Sequence, residues 1–266
     1  MKLTMLGTGS AAVTNCYNTC FLISDNKNHF LVDAGGGNQI LKILNQVNIP
    51  ITDIENIFIT HSHTDHILGA VWLIRMIGQA INYDNCTKTF KIYCHEDAAF
   101  ALKTMCCLTL PNSITKHFND KIKIEIIYDN DEMTILNCNV RFFDIKSDKT
   151  KQFGFVFTLS DGKKLVCCGD EPISKHIEES VLNCDWLLCE AFCLYSEKDI
   201  FKPYQKFHST VKDACETAER LNVKNLILYH TEDSDIKNRK LRYALEGIQY
   251  FSGNLLIPND LESIEL

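Results

Sequence analysis

Apolar and polar positions alternate along this chain in two rhythms. Short runs rich in β-branched and aromatic residues, at Lys2–Leu6, Phe21–Ser24, Phe30–Val32 and Ile57–Thr60, have the length and make-up of strands. Gln39–Leu44 and Ile67–Ile77 read instead as amphipathic helices. Further strands are predicted at Phe90–Tyr93, Lys121–Tyr128, Val140–Ile145, Phe153–Leu159, Leu165–Cys168, Trp186–Cys189 and Leu226–Tyr229. Further helices are predicted at Asp97–Met105, Ser174–Leu182, Val211–Leu221 and Lys240–Ile248. The pair Asp161-Gly162 between two of the strands is a hairpin turn. Ser209 and Thr210 precede an apolar pattern at Val211, Ala214, Cys215 and Ala218, so one of them caps that helix. The fold class is therefore α/β. Strands and helices come in two similar successions, the pattern of two sheets packed face to face with helices outside. No linker or short-period repeat intervenes, and residues 1–266 are expected to form a single domain.

Composition narrows the class without naming a function. With 45% hydrophobic residues, 12 glycines and 5 prolines in 266 residues, the chain can bury a large core and has no disorder signature. No apolar run reaches 18 residues, and Met1-Lys2-Leu3-Thr4-Met5-Leu6 lacks the apolar core and cleavage site of a signal peptide. A soluble, cytoplasmic protein with no membrane partner is expected. The thirteen cysteines are odd in number and form no Cys-x-x-Cys repeat, so buried free thiols are expected rather than a disulfide scaffold. A net charge of −7 argues against nucleic-acid binding by bulk electrostatics, which requires a basic footprint.

The chemistry is concentrated in one segment. His61-Ser62-His63-Thr64-Asp65-His66 follows the strand-like Ile57-Phe58-Ile59-Thr60, so four potential ligands leave one strand within a short loop. Three imidazoles and a carboxylate suit borderline cations such as Zn²⁺, Mn²⁺ or Fe²⁺ better than the oxygen-seeking Mg²⁺ or Ca²⁺.

This segment resembles the His-x-His-x-Asp-His signature of the metallo-β-lactamase superfamily. Leu6-Gly7-Thr8-Gly9-Ser10, Val32-Asp33-Ala34-Gly35-Gly36-Gly37, Phe153-Gly154-Phe155, Cys168-Gly169-Asp170, Leu188-Cys189-Glu190-Ala191, His208-Ser209-Thr210 and Leu228-Tyr229-His230 resemble, in order, the ribonuclease Z branch and its phosphodiesterase relatives. The resemblance implies a four-layer αββα sandwich and a centre of two divalent metal ions, Zn or Mn/Fe. It places His61 and His63 on one ion, Asp65, His66 and His230 on the other, and Asp170 between them. It also implies that Glu190 and His208 protonate the leaving oxygen and that Asp65 helps to orient the attacking water. A bridged metal pair lowers the pKa of water to ~7 and so supplies a nucleophile at neutral pH.

Two departures are visible. The branch places a further ligand histidine before its Phe-Gly-aromatic element; the corresponding position here is Asp148, expected as a replacement ligand, the alternative being a vacant or water-filled ligand position. The tRNA-cleaving enzymes carry a long arm before Gly-Asp, where only the fourteen residues Phe155 to Cys168 stand here. The reading is a metal-dependent phosphodiesterase for a phosphate ester, RNA or nucleotide, with tRNA 3′ processing one possibility and a homodimer expected. Thioester or lactam hydrolysis, and metal or nucleotide binding without turnover, remain the alternatives.

Overall fold

The β-rich runs become strands of two seven-stranded sheets, one in each of the two units into which the chain divides. The computed structural model describes residues 1–83 and 86–266. One unit comprises Met1–Gly7, Tyr17–Tyr128 and Leu261–Leu266; the other comprises Thr8–Cys16 and Asp129–Asp260.

The first unit contains β1 (Lys2–Gly7), β2 (Cys20–Asp25), β3 (Asn28–Val32), α1 (Gln39–Gln46), β4 (Ile54–Phe58), α2 (Thr64–Asn82), β5 (Phe90–Cys94), α3 (Glu96–Thr109), the single turn α4 (Asn112–Thr115) and β6 (Ile122–Ile126). The second contains β7 (Glu132–Ile135), β8 (Cys138–Asp144), β9 (Phe153–Thr158), β10 (Lys164–Cys167), α5 (Glu178–Val181), β11 (Trp186–Glu190), α6 (Lys198–Phe201), α7 (Val211–Arg220), β12 (Asn225–Tyr229), α8 (Arg239–Gly247) and β13 (Asn254–Leu256). The last strand, β14 (Ser263–Glu265), pairs with β1.

The sheets follow one plan. In the first, β1, β2 and β3 are antiparallel neighbours and β3, β4, β5 and β6 run parallel. In the second, β7 through β10 are antiparallel and β10 through β13 parallel. Parallel strands are covered on both faces and therefore read as near-continuous apolar runs. Leu31, Val32, Ile57 and Phe58 in the first unit and Leu187, Leu188, Leu226 and Ile227 in the second are all fully buried.

Helix α2 turns Ile67, Ala70, Leu73, Ile74 and Ile77 onto the first core, three and four residues apart as its period requires. Each of these buried leucine and isoleucine side chains contributes about 1.5–3 kcal/mol. Its Gly69 lies so close to the loop after β3 that an added Cβ would sit 1.9 Å from the Ala34 carbonyl oxygen. In the second unit Val211, Ala214, Cys215 and Ala218 of α7 pack with Leu187 and Leu228. Thr210 is the N-cap of α7 and forms a reciprocal capping box with Asp213. Gly162 closes the β9–β10 hairpin with φ +85°.

Two elements are clearly shorter than their patterns predict, and one is β6, which spans Ile122–Ile126 of the expected Lys121–Tyr128. Of Ser174–Leu182, only Glu178–Val181 is α-helical. Ile177 and Ser180 donate to the carbonyls three residues back, Ser174 and Ile177, so the segment begins as tighter turns. All thirteen cysteines are free and ten are buried. Burial pushes the Cys94, Cys106 and Cys184 thiols up to about 12, so they remain protonated packing groups at neutral pH.

Candidate metal centre

In both sheets the chemistry-bearing residues follow the carboxyl ends of parallel strands, where open α/β sheets place their ligands. In the first unit, His61 and His63 follow β4, and Asp65 and His66 occupy the first turn of α2. A carboxylate there is favoured by the positive end of the helix dipole. Asp33 leaves β3 in the left-handed region, with φ +53°, a conformation that aspartate tolerates better than most residues.

The Asp33 carboxylate organises this group. Its Oδ1 accepts from the Thr60 amide at 2.9 Å, and its Oδ2 accepts from Thr60 Oγ1 at 2.8 Å and from His66 Nδ1 at 2.7 Å. Thr60 Oγ1, its proton committed to Asp33, is the acceptor for His61 Nδ1 at 3.0 Å. Both imidazoles are thereby fixed with a proton on Nδ1 and Nε2 turned outward. His61 Nε2 lies 2.9 Å from His63 Nδ1, and His66 Nε2 lies 3.3 Å from Asp65 Oδ2. Burial opposes charge on His66, but Asp33 and Asp65 outweigh it and hold its proton well above the ordinary histidine value.

The second unit gathers Asp170 after β10, Glu190 at the end of β11, His208 before α7 and His230 after β12. One donor atom each from Asp170, His208 and His230 fall within 4.8 Å of one another. Asp170 Oδ2 lies 3.6 Å from His230 Nε2. His208 donates from Nδ1 to the Asp170 carbonyl oxygen at 2.9 Å, with Glu190 Oε2 at 3.6 Å, and its ring stacks on Phe192 at 5.2 Å. Glu190 is fully buried, and its Oε1 accepts from the Ser209 amide at 2.6 Å. Burial again works against the imidazolium; the hydrogen-bonding and charge of Glu190 overcome it, and the His208 proton is held above its ordinary value.

Asp148 is exposed and belongs to none of the potential metal-holding groups among the described residues. The side chain this segment sends to Asp170 is that of Gln152, fully buried, whose Nε2 donates to Asp170 Oδ1 at 2.6 Å. Sequence reading missed Gln152 and assigned no role to Asp33 or Thr60. Asp33 carried a signal, a carboxylate closing the apolar run Phe30-Leu31-Val32; Gln152 carried none.

The donors fit divalent cations. Paired imidazole nitrogens, backed at their far sides by a carboxylate and a hydroxyl, form the support that metal-ligating histidines require. This fold and donor set define a metallo-β-lactamase-fold protein. The metallo-β-lactamase fold protein YhfI of Bacillus subtilis matches with a TM-score of 0.80, 16% identity, and coverage of 100% of this chain and 99% of that one. The short form of human tRNase Z matches with a TM-score of 0.74, 19% identity, and coverage of 100% and 99%. Ribonuclease Z of Phocaeicola vulgatus is 26% identical over 303 aligned positions, covering 97% of this chain and 93% of that protein. Residues 1–248 match the family described as anti-Pycsar protein Apyc1, and the chain belongs to that family. Among the described residues, no helix is long and apolar enough to cross a membrane.

Proposed function

We propose that this protein is a metal-dependent phosphodiesterase acting on a phosphate ester, a short RNA or a nucleotide. The observation that carries the reading is the grouping of His208 with Asp170 and His230, with Glu190 beside it. An acid that holds its proton is what departure of an alkoxide from phosphorus needs, and hydrolysis of a thioester has no such need.

The ligand assignment is part of the proposal. His61 and His63 would hold one cation, Asp65, His66 and His230 the other, and Asp170 would serve both. Imidazole-rich ligation supports Zn²⁺, with Mn²⁺ or Fe²⁺ as alternatives. When bound, such ions lower the pKa of a water to ~7 and offset negative charge as it develops at phosphorus.

The chain's own residues do the rest. Asp33 and Thr60 keep the His66 and His61 rings turned so that Nε2 points away from their anchors. His208 keeps its Nδ1 proton on the Asp170 carbonyl, so Nε2 is the nitrogen that delivers a proton to the leaving oxygen. Glu190, held by the Ser209 amide, favours the charged imidazole before that transfer.

A small substrate is favoured over tRNA. The hairpin between β9 and β10 turns at Asp161-Gly162 and carries no arm. The alignment to the Phocaeicola enzyme is longer than this chain, so that relative has residues absent here. A homodimer is proposed on the resemblance alone and a cytoplasmic location on the thirteen free cysteines; light scattering would decide the assembly.

The test is hydrolysis of bis(p-nitrophenyl) phosphate by protein reconstituted with Mn²⁺, Fe²⁺ or Zn²⁺, with Asp170→Ala as control, followed by RNA and cyclic nucleotides. Activity that disappears in the control supports the reading. No hydrolysis by fully metal-loaded protein would overturn it in favour of thioester hydrolysis or binding without turnover.

A further inference from the structure

Gln152 stands immediately before β9 and is fully buried. A buried primary amide must have both ends satisfied, and here both go to one residue. Gln152 Oε1 accepts from the Asp170 amide at 2.8 Å, and Nε2 donates to Asp170 Oδ1 at 2.6 Å. The orientation of the amide is fixed by chemistry: a backbone N–H can only donate, so the atom facing it is oxygen and the atom facing the carboxylate is nitrogen. The glutamine therefore grips both the main chain and the side chain of Asp170.

The surrounding loop is shaped for this grip. Gly169 has φ +75°, and a Cβ added there would lie 2.0 Å from Gln152 Oε1. Tyr229, fully buried, donates its hydroxyl to the Gly169 carbonyl, and His208 donates to that of Asp170. Gln152 is itself held in place, since its carbonyl accepts from the Ile145 amide at 3.0 Å. With Oδ1 on the glutamine, Asp170 Oδ2 is the oxygen turned toward His230, at 3.6 Å.

We infer that Gln152 is a positioning residue for metal binding, fixing the Asp170 carboxylate so that Oδ2 faces the cation-binding groups. The inference rests on the ligand role of Asp170 in the function proposed above. It is independent of which ester is cleaved. Partners that orient a ligating carboxylate typically affect metal affinity or activity 10–100-fold on removal.

Two substitutions separate the halves of the grip. Gln152→Leu removes both hydrogen bonds. Gln152→Glu keeps the size and the oxygen that accepts from the Asp170 amide, but sets a second carboxylate against Oδ1. Co²⁺ alone is the probe, read by its dissociation constant and its visible ligand-field spectrum, with the melting temperature of each metal-free protein beside them. A roughly 10–100-fold weaker Co²⁺ affinity and an altered spectrum in both variants are expected. Should Gln152→Leu fail to fold, the isosteric variant decides alone. Wild-type affinity and spectrum in Gln152→Glu would overturn the inference, whatever happens to the melting temperature. Failure of the wild-type protein to bind Co²⁺ would overturn the inference together with the metal-dependent reading. A wild-type protein that binds Co²⁺ but hydrolyses no phosphate ester would overturn the reading alone.

Discussion

Asp33→Asn is the sharpest probe of the first unit, because asparagine keeps the size of the side chain and tolerates the left-handed backbone at this position. Aspartate accepts three hydrogen bonds here, from the Thr60 amide, Thr60 Oγ1 and His66 Nδ1, in a buried environment. An amide offers only one acceptor oxygen. If its nitrogen takes the place of Oδ2, it meets the donors His66 Nδ1 and Thr60 Oγ1; if it takes the place of Oδ1, it meets the Thr60 N–H. The threonine hydroxyl can turn away only by ceasing to accept from His61 Nδ1, 3.0 Å from it. At least one hydrogen bond to an ionised group is lost in every arrangement, and such a bond contributes about 1.5–3 kcal/mol. At about 1.4 kcal/mol per tenfold change, that corresponds to a loss of roughly 10–100-fold in metal affinity, the range known for partners of metal-ligating histidines. Competition for Zn²⁺ with a chromophoric chelator measures it, and calorimetry on the metal-free variant checks that the fold persists. Affinity within a factor of two of wild type would refute the argument that Asp33 fixes the imidazoles.

The remaining predictions concern catalysis, loop geometry and pH. Removing the acid in His208→Ala should reduce cleavage of esters with alkoxide leaving groups by roughly 10²–10⁴-fold, yet barely affect bis(p-nitrophenyl) phosphate, whose leaving group needs no proton; equal losses on both would exclude His208 as the acid. Gly169→Ala should destabilise by at least about 1–2 kcal/mol through its left-handed φ alone, and should also weaken metal binding by displacing Gln152. Gly37→Ala, with nothing within 4 Å of the added methyl, should stay within about 0.5 kcal/mol of wild type when both glycine variants are unfolded in urea. His29 is buried against Ser24, and burial holds its pKa below the usual value, with Asp53 opposing and Lys2 and Lys88 adding. Its neutral form is the one the fold prefers, so its contribution is complete above about pH 6.5 and is lost as pH falls from there toward the folded-state value. Urea midpoints at pH 7.5 and 5 should therefore differ less for His29→Gln than for wild type, and equal differences would contradict the sign.

The strands legible in the sequence are those whose apolar residues are continuous or alternate with single polar ones. Phe90–Cys94 and Phe153–Thr158 lie close to their predicted bounds, whereas β4 begins at Ile54, three residues ahead of Ile57, because Glu55 and Asn56 interrupt its pattern. β7 went unread because Glu132 and Thr134 face solvent on an edge strand with one fully buried residue, Ile135. The potential ligands were legible for a different reason: four of them crowd into six residues. The residues that orient them were not, since the Asp33–His66 and Gln152–Asp170 contacts join positions 33 and 18 residues apart. No local pattern encodes such a pair; only the folded loops at the strand ends bring its members together.

That difference has a consequence for what sequence motifs report about activity. His61, His66 and His208 are each anchored at Nδ1, by Thr60, Asp33 and the Asp170 carbonyl respectively. The anchor selects the tautomer and so decides which nitrogen is presented. A chain can keep every motif donor and still change its metal affinity or proton-transfer chemistry by altering an anchor. Gln152 is such a place, for it reaches Asp170 from the segment where the ribonuclease Z resemblance calls for a histidine and the sequence offers the exposed Asp148. The donor pattern thus defines the class of chemistry, and the buried anchors set how tightly each cation is held and which nitrogen carries the proton.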